Sequence, residues 1–399
     1  MKGRGVYVLS AVRTPMGRHR GQLAAVRVDE LAAHVIRGAV DRAGIDPAEV
    51  EEVVIGCVNA SGEAMGNVAR YAALLAGLPH HVAGVTVNRF CASGLTAIQI
   101  AARAIAAGEL DVAVAGGAES MTRSTWVIPK PDGPFPKQHL VGRDAMWSGA
   151  GGPYHPDLER DGVMIEMPET AQNLAERYGI ARAEADAFAL RSHRRPAAAQ
   201  DAGRFDDEIL PIKVGDRLVE ADETIRRDTS LERLAELEPY FPGCPDITPG
   251  NASPVNDGAT ALVLASAERV RGQGLQPLGR VVASAVVGVD PAVMGLGAAE
   301  ALRRVLARLD ISADELSLVE INEAFAVQVL ACLREVPVPD DRLNVNGGAI
   351  ALGHALGNSG ARIATTLLHE LRRRGGGLGA ASLCVGAGQG VATVFEVAA

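Results

Sequence analysis

Along residues 5 to 120, continuous or alternating apolar runs take turns with segments whose apolar positions recur every three or four residues. The first kind fits strands, and the second fits amphipathic helices. VYVLSAV near residue 9, VEEVVIGCV near 54, VAGVTVN near 85 and DVAVAGG near 114 read as strands. DELAAHVIRGAVDRAGI and GNVARYAALLAGL, which lie between them, read as helices packed on a sheet. This alternation predicts a layered α/β domain. From 122 to 250 the texture changes: Pro129, Pro131, Pro134, Pro136, Pro153 and Pro156 interrupt the first part, and charged helical segments such as ETAQNLAERYGI follow. That stretch predicts an inserted cap or loop domain. The α/β pattern resumes with ATALVLAS near 262, GRVVASAVVGV near 284, LSLVEIN near 319 and AASLCVGAG near 384.

The two α/β stretches echo each other. Ser93-Gly94 opens a helix leading to DVAVAGG, and Ser359-Gly360, 266 positions later, opens another leading to SLCVGAG. Ile55 and Ile321 stand at the same interval of 266. An internal duplication predicts that chemistry gathers at the seam between the copies.

The 399 residues leave room for two or three domains of roughly 100 to 200 residues each. With 48% apolar and 22% charged residues, a disordered or collagen-like chain is excluded. Lys and Arg total 39 against 48 Asp and Glu, a net charge of −9, so there is no general attraction to nucleic acid and any phosphate site is local. Cys57, Cys91, Cys244, Cys332 and Cys384 contain no C-x-x-C pair, which disfavours a disulfide framework and a cysteine zinc site. Four lysines, Lys2, Lys130, Lys137 and Lys213, leave few candidates for Schiff-base chemistry. The apolar stretch in MKGRGVYVLSAVRTP is too short for a signal peptide and runs into Arg13. No run approaches about 18 uninterrupted apolar residues. The expectation is a cytoplasmic protein with no membrane or nucleic-acid partner and no metal.

Cys91 follows the strand VAGVTVN and begins the helical run CASGLTAIQIAARAIAAGEL. Unpaired amides and the helix dipole at that position predict a pKa lowered into the range of roughly 3.5 to 7.5, hence a ready thiolate. The small residues Ala92, Ser93 and Gly94 leave room for a substrate carbonyl. The plainer reading of Cys91 is a buried structural thiol. His354 lies where Gly347, Gly348, Gly353, Gly357 and Gly360 crowd one stretch, a density that implies sharp turns or close approach to a ligand. It suits a base, or a hydrogen-bonded structural histidine. Cys384 ends a predicted strand at the sheet edge where open α/β folds hold ligands, so it and Cys91 are expected to meet. Asn322 and Glu323 stand at another strand-to-helix junction, where helix capping is the plainer role. Two cysteines, a histidine and an asparagine supply a nucleophile, two proton carriers and an oxyanion ligand, a set suited to acyl transfer through a thioester. P-loop, H-E-x-x-H, EF-hand and G-x-S-x-G patterns are missing from the sequence. GLGAAE reads as a glycine turn opening an ordinary helix, and RRDTSLERL, with Arg226 and Arg227, as a solvated face.

Over essentially its whole length the sequence resembles the thiolases. The resemblance rests on RTPMGR, NRFCASGL, AGGAESMT, GNASPVNDGA, NEAFA, NVNGGAIALGHALGNSGAR and CVGAGQG, which come in the family's order. It implies two similar α/β halves in five α-β-α-β-α layers with mixed sheets plus an inserted loop domain, assembled as a homodimer or homotetramer. The boundaries are 1–121 with 251–274 for the first half, 122–250 for the loop domain and 275–399 for the second half. It implies an acetyl-CoA C-acyltransferase that cleaves 3-oxoacyl-CoA reversibly, in fatty-acid or aromatic catabolism. Its partners are acyl-CoA and CoA, with coenzyme A as substrate and no permanently bound cofactor. By the same resemblance Cys91 is the acyl-accepting nucleophile, His354 its base, Cys384 the thiol exchanging a proton with the α-carbon, and Asn322 the residue holding a water in one oxyanion hole. The amides of Cys91 and Gly386 form the second hole. Ser253 and Arg226 contact coenzyme A, and Phe325 and Met294 line the acyl pocket.

Three departures from the family pattern stand out. Ala355 replaces the usual proline after the histidine and predicts a less rigid turn. Ala387 stands inside the C-x-G-G-G pattern, where it is expected only to add a methyl group. Glu166 and Met167 replace the histidine-methionine-glycine of short-chain biosynthetic thiolases. MPETA and VRVDELAA look closer to thiolases that cleave 3-oxoadipyl-CoA. Acetoacetyl-CoA-forming condensation and a non-catalytic acyl-CoA-binding relative are the alternatives. A decarboxylating ketoacyl synthase would not carry Cys384.

Overall fold

The structure, a computed structural model, describes residues 4–128, 130, 133, 141–147, 155–160 and 163–399. Of the prolines that mark the cap, Pro129, Pro131, Pro134, Pro136 and Pro153 lie outside the described residues. The main strands are β1 (Val6–Arg13), β2 (Glu52–Gly56), β3 (Ala83–Val87), β4 (Val112–Ser120), β5 (Asn256–Ser266), β6 (Gly279–Gly288), β7 (Leu318–Ile321), β8 (Gly377–Val385) and β9 (Gln389–Val397). The principal helices are α1 (Val28–Ala43), α2 (Val68–Leu75), α3 (Ser93–Ala107), α4 (Met167–Tyr178), α5 (Arg182–Asp201), α6 (Gly297–Leu309), α7 (Ala326–Glu335) and α8 (Leu356–Arg373). Eight of these strands coincide with the apolar runs. The ninth, β9, was hidden because only the turn Gly386-Ala387-Gly388 separates it from β8, so one apolar run passes into the next.

The sheet order is β7-β8-β9-β6-β1-β5-β4-β2-β3. Read outward from the centre, β1-β5-β4-β2 is matched by β6-β9-β8-β7. β2 pairs parallel with β4, as β7 does with β8, and the remaining neighbours in each matched set are antiparallel. This is the duplication the spacing predicts. β1 and β6 join the halves through the pairs Val6–Val281, Tyr7–Arg280 and Val8–Gly279.

Three apolar clusters define the layers. α1 and α2 cover the outer face of the first half, with Val35, Ile36 and Val68 against Val53, Ile55 and Val114. α3 and α8 fill the middle, where Leu95, Ile98, Ile363 and Leu367 meet Val54 and Leu262 of one half and Leu383 and Phe395 of the other. α6 and α7 cover the outer face of the second half together with cap helix α4. Among the described residues one helical segment, Phe90–Ala107, is long and apolar enough to cross a membrane by length and composition. It is α3, whose apolarity follows from being enclosed between the two halves of the sheet. The cap is tied to β1 by Arg13. Its wholly buried guanidinium meets Asp222 at 2.7 and 2.9 Å and Glu208 at 2.6 Å.

The duplicated Ser-Gly pairs have a packing purpose. A Cβ on Gly94 would lie 2.8 Å from the Ala361 nitrogen, and one on Gly360 would lie 2.5 Å from the Leu95 nitrogen. The two contacts are images of each other under the 266-residue offset. They let α3 and α8, which begin beside Cys91 and His354, touch backbone to backbone. Gly94→Ala is therefore expected to lower stability by about 1–3 kcal/mol through overpacking. Gly272→Ala, in the helix Ala267–Gln273 and facing open space, should raise it by about 0.5–1 kcal/mol. Urea unfolding of both variants checks this, and an unchanged midpoint for Gly94→Ala would contradict the close contact.

Candidate active site

Cys91 sits on the turn from β3 to α3. Phe90, just before it, has φ 43°, a left-handed conformation that bulky residues rarely adopt. Its amide donates to Asn88 Oδ1 at 2.9 Å, and its carbonyl accepts from Ser93 Oγ at 2.7 Å. Ser93 Oγ also accepts from the Arg89 amide at 2.8 Å. These bonds offset a strain of order 1–3 kcal/mol and hold the turn that carries the cysteine.

The amides of Cys91 itself and of Gly386 point at the Cys91 sulfur and favour a thiolate. Burial acts more strongly in the other direction and pushes the thiol up to about 11, with a further small push from Glu119. The lowered pKa expected from the helix terminus does not occur, because two amides and a helix end do not replace the water the sulfur loses. At neutral pH Cys91 is a thiol that needs a base. Its alkylation by iodoacetamide should therefore rise about tenfold per pH unit from 7 to 10. Peptide mapping of the labelled Cys91 tests this, and a plateau already at pH 7 would refute it.

Cys384 stands near the end of β8, opposite Gly390 of β9. Burial raises its pKa well above the ordinary thiol value, and the neighbouring sulfurs of Cys91 and then Cys332 add to the rise. The two predicted cysteines thus lie close enough to feel each other. In the hairpin turn beyond, Ala387 has φ 60° and Gly388 φ 73°. Ala387 does more than add a methyl group, since the left-handed conformation costs a non-glycine residue about 1–2 kcal/mol.

His354 follows Gly353, whose φ of 105° only glycine adopts readily. The His354 amide donates to Asn256 Oδ1 at 2.9 Å. Ser359 Oγ donates its one hydrogen to the Ala355 carbonyl at 2.9 Å and lies 2.7 Å from His354 Nδ1. Nδ1 therefore carries the ring proton and donates it to Ser359, leaving a lone pair on Nε2. Nε2 is buried with no partner among the described residues. Burial, and then the Arg362 charge, lower the histidine to about 4, so it is neutral across pH 5 to 8 and able to accept a proton. Ala355 has φ −74°, within the proline range, so the turn keeps the backbone angle that a proline would fix.

Asn322 closes β7, and its amide donates to the Ser382 carbonyl at 2.9 Å. Both ends of its wholly buried side-chain amide lack a partner among the described residues. The capping role expected of Asn322 and Glu323 is overturned: α7 starts after Phe325 without a side-chain cap. Glu323 instead accepts from Ser192 Oγ at 2.5 Å, Asn344 Nδ2 at 2.9 Å and the Ile350 amide at 3.2 Å.

The GNAS segment is laced to the NEAFA segment, with the Ser253 amide donating to the Ala324 carbonyl at 2.9 Å and Ala252 bridging Phe325. Phe325 and Met294 share one apolar cluster with Cys384, and Met167 packs against it. Arg226 is exposed, its amide donates to His193 Nδ1 at 3.0 Å, and no contact among the described residues joins it to the sulfurs. Arg227 is paired with Asp201 at 2.9 Å on the surface, as the solvated-face reading expects. The Glu166 amide donates to Glu169 Oε2 at 2.9 Å at the start of α4, so Glu166 serves the helix end. Sequence reasoning missed Ser359 and Asn256 as supports of His354. The Ser359-Gly360 pair was visible, but its bond to a ring five residues earlier depends on the turn between them.

The structure brings together the two thiols and the two amides aimed at the Cys91 sulfur. The imidazole nitrogen Nε2 of His354 and the carboxamide of Asn322, each without a partner among the described residues, are groups of the kind that deprotonate a thiol and hold an oxyanion. The family models "Thiolase, N-terminal domain" and "Thiolase, C-terminal domain" match residues 6–268 and 275–397. The chain is 50% identical over 401 residues to the beta-ketoadipyl-CoA thiolase of Pseudomonas aeruginosa, covering 98% of this chain and 99% of that one. It is 44% identical over 402 residues to the 3-oxoadipyl-CoA/3-oxo-5,6-dehydrosuberyl-CoA thiolase of Escherichia coli K12, with the same coverage of 98% and 99%. The acetyl-CoA acetyltransferase of Bacillus anthracis superposes with a TM-score of 0.93 at 44% identity, covering 99% of both chains. Human mitochondrial 3-ketoacyl-CoA thiolase in complex with CoA also gives 0.93, at 38% identity over 99% of this chain and 98% of that one.

Proposed function

Since the chain belongs to the thiolase family and is a CoA-dependent acyltransferase, we propose that it cleaves 3-oxoadipyl-CoA in aromatic catabolism, with Cys91, His354 and Cys384 carrying the reaction. The sulfur of Cys91, faced by two amides and near a second thiol, is the observation that carries the residue assignment. The substrate reading rests on near full-length identity to relatives bearing that substrate's name.

In this reading His354 Nε2 takes the Cys91 proton as the sulfur attacks C3 of the substrate. The C2–C3 bond breaks, its electron pair stays on C2 as an acetyl-CoA enolate, and Cys384 gives C2 a proton. The proton on His354 then passes to the Cys384 thiolate, which leaves both neutral; coenzyme A next loses its thiol proton to His354 and takes the acyl group from Cys91 as a new thioester, and that proton returns to the departing Cys91 sulfur. The amides of Cys91 and Gly386 hold one oxyanion, and Asn322 with His354 holds the other through water. One such donor contributes about 3–4 kcal/mol to the transition state. Phe325 and Met294 line the acyl pocket, while Ser253 and Arg226 meet coenzyme A. The chain divides into 1–121 with 251–274, 122–250 and 275–399, and works in the cytoplasm as a homodimer or homotetramer.

Cleavage of 3-oxoadipyl-, acetoacetyl- and medium-chain 3-oxoacyl-CoA by the purified chain tests the substrate. The expected kcat/KM for 3-oxoadipyl-CoA is higher by about tenfold or more, a difference of about 1.4 kcal/mol. Equal or reversed preference would remove the substrate assignment and leave the acyltransferase in place.

A further inference from the structure

His354 stands in the short turn 353–355, which begins with Gly353 and joins the one-turn helix Ala349–Leu352 to the start of α8, where Gly357 lies. Two buried carboxylates grip it, one from each half. Glu119 Oε2 accepts from the Gly357 amide at 2.9 Å, three residues after His354. Glu323 Oε2 accepts from the Ile350 amide at 3.2 Å, four residues before it. Glu119 also accepts from the Val58 and Asn59 amides at 2.9 and 3.1 Å, while its Oε1 is 3.7 Å from the Cys57 sulfur. Glu323 also accepts from Ser192 and Asn344. We propose that Glu119 and Glu323 are positioning residues that act through the Gly357 and Ile350 amides to set His354 against Cys91.

Several observations favour this over simple core filling. Both carboxyl groups are surrounded by donors, three or four each, and neither is paired with an arginine among the described residues. Carboxyl oxygens that accept match such a ring, whereas an amide would aim its own N–H groups at other N–H groups. Clearance is small on both sides: a Cβ on Gly348 would lie 2.1 Å from the Glu323 carboxyl carbon, and one on Gly117 would lie 2.0 Å from the Gly357 carbonyl oxygen. The charge of Glu119 also reaches the Cys91 sulfur, as the smallest of the influences on it. Cys91 and His354 come from different halves, and Glu119 of the first half bonds directly to the loop of the second. A displacement of the base by about 1 Å is enough to cost about 10²-fold in rate.

The inference rests on His354 being the base. The test measures kcat, KM for CoA and urea unfolding for Glu119→Gln, Glu323→Gln and His354→Asn beside the wild-type chain. For each Gln variant we expect kcat to fall about 10²-fold while KM for CoA stays within about threefold. Folded Gln variants with wild-type kcat, beside an inactive His354→Asn, would overturn the clamp alone. An active His354→Asn would overturn the assignment of the base instead. If the Gln variants do not fold, amide hydrogen exchange of the wild-type chain decides. Gly357 and Ile350 should be the slowest amides between residues 346 and 358, and exchange of either within seconds would overturn the clamp.

Discussion

Cys91→Ser should lower CoA-dependent cleavage by about 10⁴-fold or more and leave the protein without an acyl adduct after incubation with acyl-CoA. The size of the effect follows from the site. The thiol is already difficult to ionise at about 11, and the neutral histidine at about 4 is a weak base, so proton transfer succeeds only as the sulfur attacks. A serine hydroxyl is far less acidic than the thiol, and the same imidazole cannot activate it. Intact-mass measurement gives the adduct and a thiolysis assay gives the rate. A serine variant within about tenfold of wild-type kcat would end the covalent mechanism.

Asn322→Ala should separate activity from stability. Its side-chain amide has no partner on either end among the described residues, and burying such a group costs about 1–3 kcal/mol. Removing it relieves that cost but leaves a small cavity, so unfolding stability should stay within about 1 kcal/mol of wild type. Activity should fall about 10²–10³-fold, the usual consequence of losing an oxyanion donor. The measurements are kcat and the urea midpoint of the same preparation. A variant that is fully active, or one whose activity loss merely tracks unfolding, would show that Asn322 is packing.

How far the site was legible depends on the residue. Cys91, His354, Cys384 and Asn322 could be picked out because each stands at a glycine-rich or strand-end turn, and such turns leave a local signature. The pKa of Cys91 could not be read in this way. The helix terminus just after it is a local feature and predicts a thiolate, whereas the burial that reverses the prediction comes from protein distant in the chain. The same holds for Glu323, which reads as a helix cap beside Ala326 until Ser192, Asn344 and Ile350 converge on it. Ala387 looked harmless because a backbone angle leaves no trace in the residue itself.

The order of eight of the nine main strands, the repeat at 266 residues and the set of candidate reactive side chains were determined by the sequence alone. They depend on periodicity and turn chemistry, which act over a few neighbouring residues. Tertiary structure decided the rest. It joined the halves through β1 and β6, brought Gly94 against Ala361, fixed the proton on Nδ1 of His354 and turned two buried carboxylates toward the loop between Ile350 and Gly357. Each of these depends on which groups lose water together and which donors face which acceptors. Such pairings are made by residues far apart in the chain, so no local pattern records them.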